Sequence, residues 1–470
     1  MNGRLRVTAA ALTLGFSASF GLSLGQGVAY ADRPPPIDMG KLPAGDPAVP
    51  PDPTEQKSNT PCTSTQQGGS GPTIPPAQQS LDLPHAWQFS RGEGQLVAVI
   101  DTGVSPHPRL PGLIPGGDYV AAGGDGMHDC DVHGTIVAGI IGAQQVPDQG
   151  FSGVAPAARI MTIRQTSKMF QVKGRSQQQR PEDAPDGYGK IEALASAVRR
   201  AADRGATVIN ISLVACVPGS HNPDDGPLGA ALRYATLEKN VVVVAAAGNM
   251  EQKCQAGNPD VDPLDPTADL WENLNTVVTP ARYDDYVLTV GSIDQNGQPS
   301  DFTVPGPWVD IAAPGENIVS LDPLSDGTIS GTVDGKGQVT TLQGTSFAAP
   351  YVSGVVALVR ARFPHLSAQE VIKRLEATAH APAEGWNPFI GYGAVDPVAA
   401  LTNEVRDAPL QAKQPSPAKS IQLPVPASPP PPDNLARNVA LIGTGIIGGG
   451  LVLGYLASFP IRRRFGVRED

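Results

Sequence analysis

The chain has 470 residues, 40% hydrophobic and 17% charged, with a net charge of −11. That leaves room for one large domain of roughly 250 to 350 residues plus appendages, at about 100 to 200 residues per domain. No basic surface is implied, so nucleic acid is not an expected partner.

Arg4 and Arg6 precede an apolar run over 7–24, and Ala29-Tyr30-Ala31 supplies the small-x-small pattern of a signal peptidase site. Residues 1–31 therefore read as a cleaved export signal with Asp32 as the first mature residue; the alternative is an uncleaved anchor. Once the chain is exported, an even number of cysteines points to disulfides. Cys62, Cys130, Cys216 and Cys254 fit neither a metal spacing nor a CxxC pair. Of the three possible connectivities, Cys62–Cys130 with Cys216–Cys254 is the expected one, because it pins residues 32–80 close to His133. That stretch is rich in proline, glycine and polar residues and cannot form a core of its own. It is a pro-segment or an arm on the main domain, and Cys62 favours the arm.

The main domain is expected over 81–402. Residues 95–100 form a buried parallel strand that delivers Asp101 at its carboxyl end, where open α/β sheets place their sites. His133-Gly134-Thr135 then runs into an apolar helix. Strands at 159–163, 207–212 and 241–246 alternate with helices at 190–203 and 228–239, a rhythm that implies a parallel sheet with helices on both faces. Residues 166–188 and 251–285 break it and read as surface loops. Gln343-Gly344-Thr345-Ser346 opens another apolar helix, with Pro350 expected about one turn in, where a missing N–H costs least.

Past Leu401 comes a proline-rich linker, 403–438, expected to be stiff and extended. Residues 439–459 are free of charge and long enough to cross a bilayer at about 1.5 Å per residue. Arg462-Arg463-Arg464 then makes the tail, 460–470, cytoplasmic by the positive-inside rule.

A Gly-Thr-Ser alone would be an ordinary helix cap. Acyl transfer by a serine needs a base for its proton and a carboxylate to orient that base. Asp101, His133 and Ser346 supply these in distinctive contexts: Val-Ile-Asp-Thr-Gly, His-Gly-Thr, and Gly-Thr-Ser-x-Ala-x-Pro. Asn249, in Ala-Ala-Ala-Gly-Asn at the end of the strand over 241–246, could donate to an oxyanion beside the Ser346 N–H. Asp101-Thr102-Gly103 also matches an aspartic-protease signature, but a second such acid is lacking. Asp129 and Asp131 read as solvated loop acids. Asp260, Asp262, Asp265 and Asp269 lack a calcium-ligand spacing, so no metal and no cofactor are expected. The remaining histidines, His85, His107, His128, His221, His365 and His380, read as surface or structural.

The four blocks resemble the subtilase family of serine proteases over about 81–401. The resemblance implies an α/β fold, a subtilisin-like αβα sandwich with a mostly parallel seven-stranded sheet, and peptide-bond cleavage through an acyl-enzyme. It also implies Asp101, His133 and Ser346 as triad and Asn249 in the oxyanion hole. One departure is Val214, which follows Asn210-Ile211-Ser212-Leu213 where the family usually has glycine against the substrate; a branched side chain there narrows or re-aims the cleft, and favours a narrow set of substrates. The layout as a whole, with signal, extension, protease domain, stalk, anchor and basic tail, resembles the mycosins, membrane-anchored proteases of type VII secretion systems. That resemblance implies an enzyme outside the cytoplasmic membrane that processes exported proteins and associates with the secretion complex. The alternative it leaves is a mainly structural part in that complex.

Overall fold

A computed structural model of the chain describes residues 33–58, 60–69, 71–174, 188–219, 221, 223–251, 254–265, 268–405 and 434–464. The export signal, most of the linker and the end of the tail lie outside these residues. The described residues fall into two units divided within 406–433, and each is taken by itself.

The first unit is built on seven strands: β1 Leu96–Asp101, β2 Ile114–Asp118, β3 Arg159–Arg164, β4 Val208–Ile211, β5 Val242–Ala246, β6 Val287–Ile293 and β7 Val309–Pro314. Their spatial order is β7-β6-β5-β4-β1-β3-β2, and every pairing is parallel. Because successive strand side chains point to opposite faces, a strand covered on both sides must be apolar throughout. In β1 and β5, Val97, Val99, Val242 and Val244 pack on one face. Ala98, Ile100, Val243 and Ala245 pack on the other. The first face is covered by α1, His133–Gly142, and by a helix over Thr345–Arg362; the second by α2, Ile191–Asp203, and α3, Gly226–Arg233. The helix Thr345–Arg362 is α4. The result is an αβα sandwich, as the motif resemblance implies.

The structure departs from the sequence reading in several places. Residues 251–285 are not all loop: Thr276–Thr279 pairs antiparallel with Ala215–Pro218, its β-branched Thr-Val-Val-Thr suited to a pleated surface. The edge strand β2 carries Pro115 and two glycines and looks like a turn, but at an edge a proline breaks no central ladder. β6 and β7 are masked in sequence by Gly291 and Asp310; Asp310 is buried and accepts the Thr289 N–H at 2.6 Å. The helix expected at 228–239 ends at Arg233 and continues as a wide turn over Tyr234–Glu238. Pro350 lies five residues past the first residue of α4, inside the helix, so the Ser346 carbonyl loses its partner in the helical ladder. Within 166–188, Thr166–Ser167 pairs with Tyr188–Gly189, and 175–187 are outside the described residues.

Residues 33–80 lie along this unit. Ile37, Met39 and Leu42 pack on the α2–α3 side. Thr54–Gln56 pairs with Phe170–Val172, and Ser64–Gln67 pairs with Thr328–Val333. Among the described residues of the second unit, one helix runs over Leu435–Arg464, 30 residues with a mean hydropathy of 1.9 in its most apolar window. At about 1.5 Å per residue it exceeds the roughly 30 Å apolar thickness of a bilayer.

At the start of α3, Asp225 and Arg282 are both fully buried and 2.7 Å apart, with Thr279 and Tyr283 hydroxyls donating to the same carboxylate. Removing one partner strands the other charge. Arg282→Met is expected to cost about 3–5 kcal/mol in urea unfolding of the detergent-solubilised chain, and adding Asp225→Leu should recover part of that loss.

Candidate active site

Three elements meet at the carboxyl edge of the sheet. Asp101 ends β1, His133 opens α1 and Ser346 is the second residue of α4. Asp101 is fully buried, and its Oδ1 accepts the Thr102 N–H at 2.8 Å and lies 2.7 Å from His133 Nδ1. His133 Nε2 is 3.0 Å from the Ser346 hydroxyl. Nδ1–H then donates to the carboxylate, and Nε2 is left to accept the serine proton.

A second acid holds this geometry, and the sequence reading misses it. Asp129 is buried, not solvated. Its Oδ1 accepts the Thr102 hydroxyl at 2.8 Å, and its Oδ2 accepts both the N–H and the hydroxyl of Thr135 at 2.8 and 2.7 Å. Thr102 Oγ1 in turn accepts the Gly134 N–H at 2.9 Å, so the end of β1 is clamped to the first turn of α1. Burial pushes the Asp129 carboxyl up to about 6, against the pull of these hydrogen bonds. Val132, just before His133, sits at φ +67°, an unusual conformation for a β-branched residue that the clamp must hold. The signal in the sequence was the placement of Asp129 four residues before His133, with a threonine two residues after it. Asp131 also has fixed partners, the Ser167 hydroxyl at 2.5 Å and the Lys168 N–H at 2.8 Å. Among the other histidines, His107 is buried between the Arg109 N–H and the Gly327 carbonyl, and His380 lies 3.1 Å from Asp396.

Asn249 follows β5. Its Oδ1 accepts the N–H and hydroxyl of Thr345 at 2.9 and 3.0 Å, and the Thr345 hydroxyl accepts the Gly248 N–H at 3.1 Å. With its oxygen occupied, the NH₂ of the side chain is left free to donate, on the side of Gly344 that also carries Ser346 Oγ. Gly344, at φ +148°, has to be glycine: a Cβ there would stand 3.1 Å from Asn249 Nδ2 and 3.2 Å from Ser346 Oγ. From the other side, Ser353 donates to Asn210 Oδ1 at 2.8 Å and ties α4 to β4.

The triad opens on a cleft of about 620 Å³ lined by Leu213, Val214, Asn249, Lys168 and Phe347 among others. Val214 packs against the Gly248 turn on the wall beside Asn249. Cys62 is joined to Cys130, with Thr63 donating to the Cys130 carbonyl at 3.0 Å and lining the cleft. Cys216 is joined to Cys254. Such a constellation, a hydroxyl relayed through an imidazole to a buried carboxylate with amide donors at hand, is equipped for acyl transfer.

A model of the subtilase family matches residues 92–393. Mycosin-4 of Mycobacterium tuberculosis is 45% identical, over 94% of this chain and 93% of its own. Mycosin-1 of Mycolicibacterium smegmatis is 44% identical, over 93% and 95%. Among solved structures, MycP1 from Mycobacterium smegmatis is 45% identical, covers 83% of this chain and 99% of that one, and superposes with a TM-score of 0.73. A chain of an intact ESX-5 inner membrane complex is 44% identical, covers 90% and 99%, and has a TM-score of 0.75.

Burial alone would lower the His133 pKa, but the charge and hydrogen bond of Asp101 outweigh it and the net direction is up. The neutral imidazole is the form that takes a proton. Turnover (kcat/KM) should therefore rise with pH through an apparent pKa above the ordinary histidine value, then level off. Asp101→Asn removes the larger raising charge and leaves burial against the weaker pull of Asp129, so the limb should move to lower pH while kcat falls by on the order of 10⁴. Paired pH–rate profiles check both.

Proposed function

The chain belongs to the mycosins, within the subtilase family of serine proteases, and we propose that it cuts selected exported polypeptides while anchored at a type VII secretion complex. The observation that carries this reading is the unbroken contact from Asp101 through His133 to Ser346. In it, Ser346 Oγ attacks the scissile carbonyl carbon and its proton passes to His133 Nε2. Asp101 steadies the imidazolium. The oxyanion of the tetrahedral intermediate takes hydrogen bonds from Asn249 Nδ2 and the Ser346 N–H, at the positive end of α4. The intermediate collapses to an acyl-enzyme and the amine leaves with the proton held on His133. Water then repeats the sequence and frees Ser346.

The C-terminal helix anchors the chain by a single span, and Arg462, Arg463 and Arg464 put its far end in the cytoplasm, with the protease domain on the opposite side. Residues 32–80 act as an arm fastened by Cys62–Cys130, and the stalk ends at residue 434, four residues short of its expected end, because the helix begins at Leu435. Association with a secretion complex is supported by the similar chain within the ESX-5 inner membrane complex. That similarity also favours a second reading, in which the chain helps hold the complex together, and the two are compatible.

Mass spectrometry of exported proteins from cells with Ser346→Ala should show native termini that vanish. Secretion lost in a full deletion but kept in Ser346→Ala would assign the assembly role to the folded chain and not to cleavage. Asn249→Ala in the purified protein should lower kcat by on the order of 10²–10³ with little change in KM, because the donor acts on charge that exists only in the transition state.

A further inference from the structure

One rim of the cleft is a small antiparallel sheet. Gly331, Thr332 and Val333 pair on one edge with Thr341, Thr340 and Val339, and on the other with Gln66, Thr65 and Ser64 of the arm. Val339–Thr341 is therefore an outer strand. Its far edge meets no other strand among the described residues, and all three residues are exposed.

The hydrogen-bond phase of this strand follows from its turn. Asp334 N–H donates to the Gln338 carbonyl at 3.0 Å, so alternation along an antiparallel ladder makes Thr332–Thr340 the next bonded pair. Thr340 thus faces its neighbour, while the N–H and C=O groups of Val339 and Thr341 face out. The alternation continues toward the nucleophile. Leu342 accepts the Ile318 N–H at 3.1 Å and Gly344 donates to the Gly315 carbonyl at 2.8 Å, which leaves Gln343 facing the same way as Val339 and Thr341. Thr332, Thr341, Leu342 and Gln343 line the same cleft as His133 and Ser346.

Open edges are normally blunted by lysine, proline, a bulge or a covering segment. Here the arm closes the opposite edge of the sheet, and Val339, Thr340 and Thr341 are all β-branched and uncharged. Taking the cleft as the protease site proposed above, we propose that Val339–Thr341 is a docking edge for the substrate: the polypeptide downstream of the cut bond adds to it as an extended antiparallel strand. Taking Leu213 and Val214, which line the cleft with Asn249, as its acyl side, the leaving side runs from Ser346 back along decreasing residue numbers. At about 3.3 Å per residue an extended substrate reaches Val339 roughly six or seven residues past the cut. The bonds are main-chain bonds, so the edge selects unfolded length and not a particular sequence.

The test uses the detergent-solubilised full chain and a pool of random-sequence 14-residue peptides, with cut positions read by mass spectrometry. Bonds followed by seven or more residues should be cut roughly tenfold faster than bonds followed by three or fewer, the scale of one or two net hydrogen bonds. Val339→Pro, which removes an outward donor, should bring that ratio toward one; active-site labelling with a fluorophosphonate counts the folded fraction. On the wild-type chain, N-methylation of single downstream amides in the fastest-cut peptide should slow cutting at alternate positions only. Cutting with no length dependence, or a methylation profile without alternation, overturns the docking edge and leaves the protease reading intact. A Val339-dependent dimer with no length dependence overturns it in favour of self-association. No cutting of any peptide and no labelling would sink the protease reading, and this inference with it.

Discussion

A carboxyl group with no exposure to solvent has to find its hydrogen bonds inside the protein, and the active edge of this protein is arranged around supplying them to Asp101. Its compensation is the Thr102 N–H and the His133 imidazole, both within 2.8 Å. Only one of the two is a neighbour in sequence. Thr102 follows Asp101 out of β1, but His133 is 32 residues away and reaches it only because α1 begins at the carboxyl edge of the sheet. Asp129 is what makes that approach repeatable. By holding Thr102 on one oxygen and Thr135 on the other, it fixes the strand end relative to the helix start. It also lets Val132 keep a backbone conformation that would otherwise relax.

The serine side is fixed by a separate set of contacts that share no residue with the first. Thr345 bridges the Gly248 turn and Asn249, and Ser353 reaches Asn210, so α4 is tied to β5 and β4 at two points along its length. The two halves come together at the reacting groups across the 3.0 Å between Nε2 and Oγ, where the His133 ring also packs against Phe347. Pro350 belongs to the same design. Placed inside α4, it releases the Ser346 carbonyl from the helical ladder, and the helix survives because nearly its whole length is buried.

Much of this was legible without coordinates, for a physical reason. A fully buried strand has to be apolar on both faces, so β1 and β5 announce themselves, and a polar residue at their carboxyl ends then stands out. Asp101 and Asn249 are legible that way, His133 and Ser346 as polar residues that open apolar helices, and the family resemblance orders the four blocks. What stayed hidden were elements whose local chemistry argues against them. β2 carries a proline and two glycines, and β7 contains Asp310, a buried acid whose carboxylate accepts the Thr289 N–H from a neighbouring strand. Asp129 was hidden for the same reason: a buried acid looks like a solvated one until its three donors, spread over Thr102 and Thr135, are brought to it by the fold. Thr276–Thr279 sits in an otherwise polar stretch, and its partner Ala215–Pro218 lies about sixty residues earlier, beyond any local pattern.

The cleft raises a question that its residues answer together. Val214 lines the cleft where the family usually has glycine, and a branched side chain that narrows or re-aims the wall would leave a single side-chain pocket less to contribute to binding. An enzyme in that position can still gain rate from contacts far from the reacting bond, provided they hold the substrate in the geometry of attack. Main-chain contacts along a strand edge suit this, because they demand an extended backbone and are lost by a folded one. The arm then has a purpose beyond stability. By pairing with Thr328–Val333 it closes the edge opposite Val339–Thr341, and the disulfide at Cys130 holds the arm's end beside the cleft. A sheet braced on one edge can present the other as a rigid template, so discrimination by the length and disorder of the substrate requires no large pocket at all.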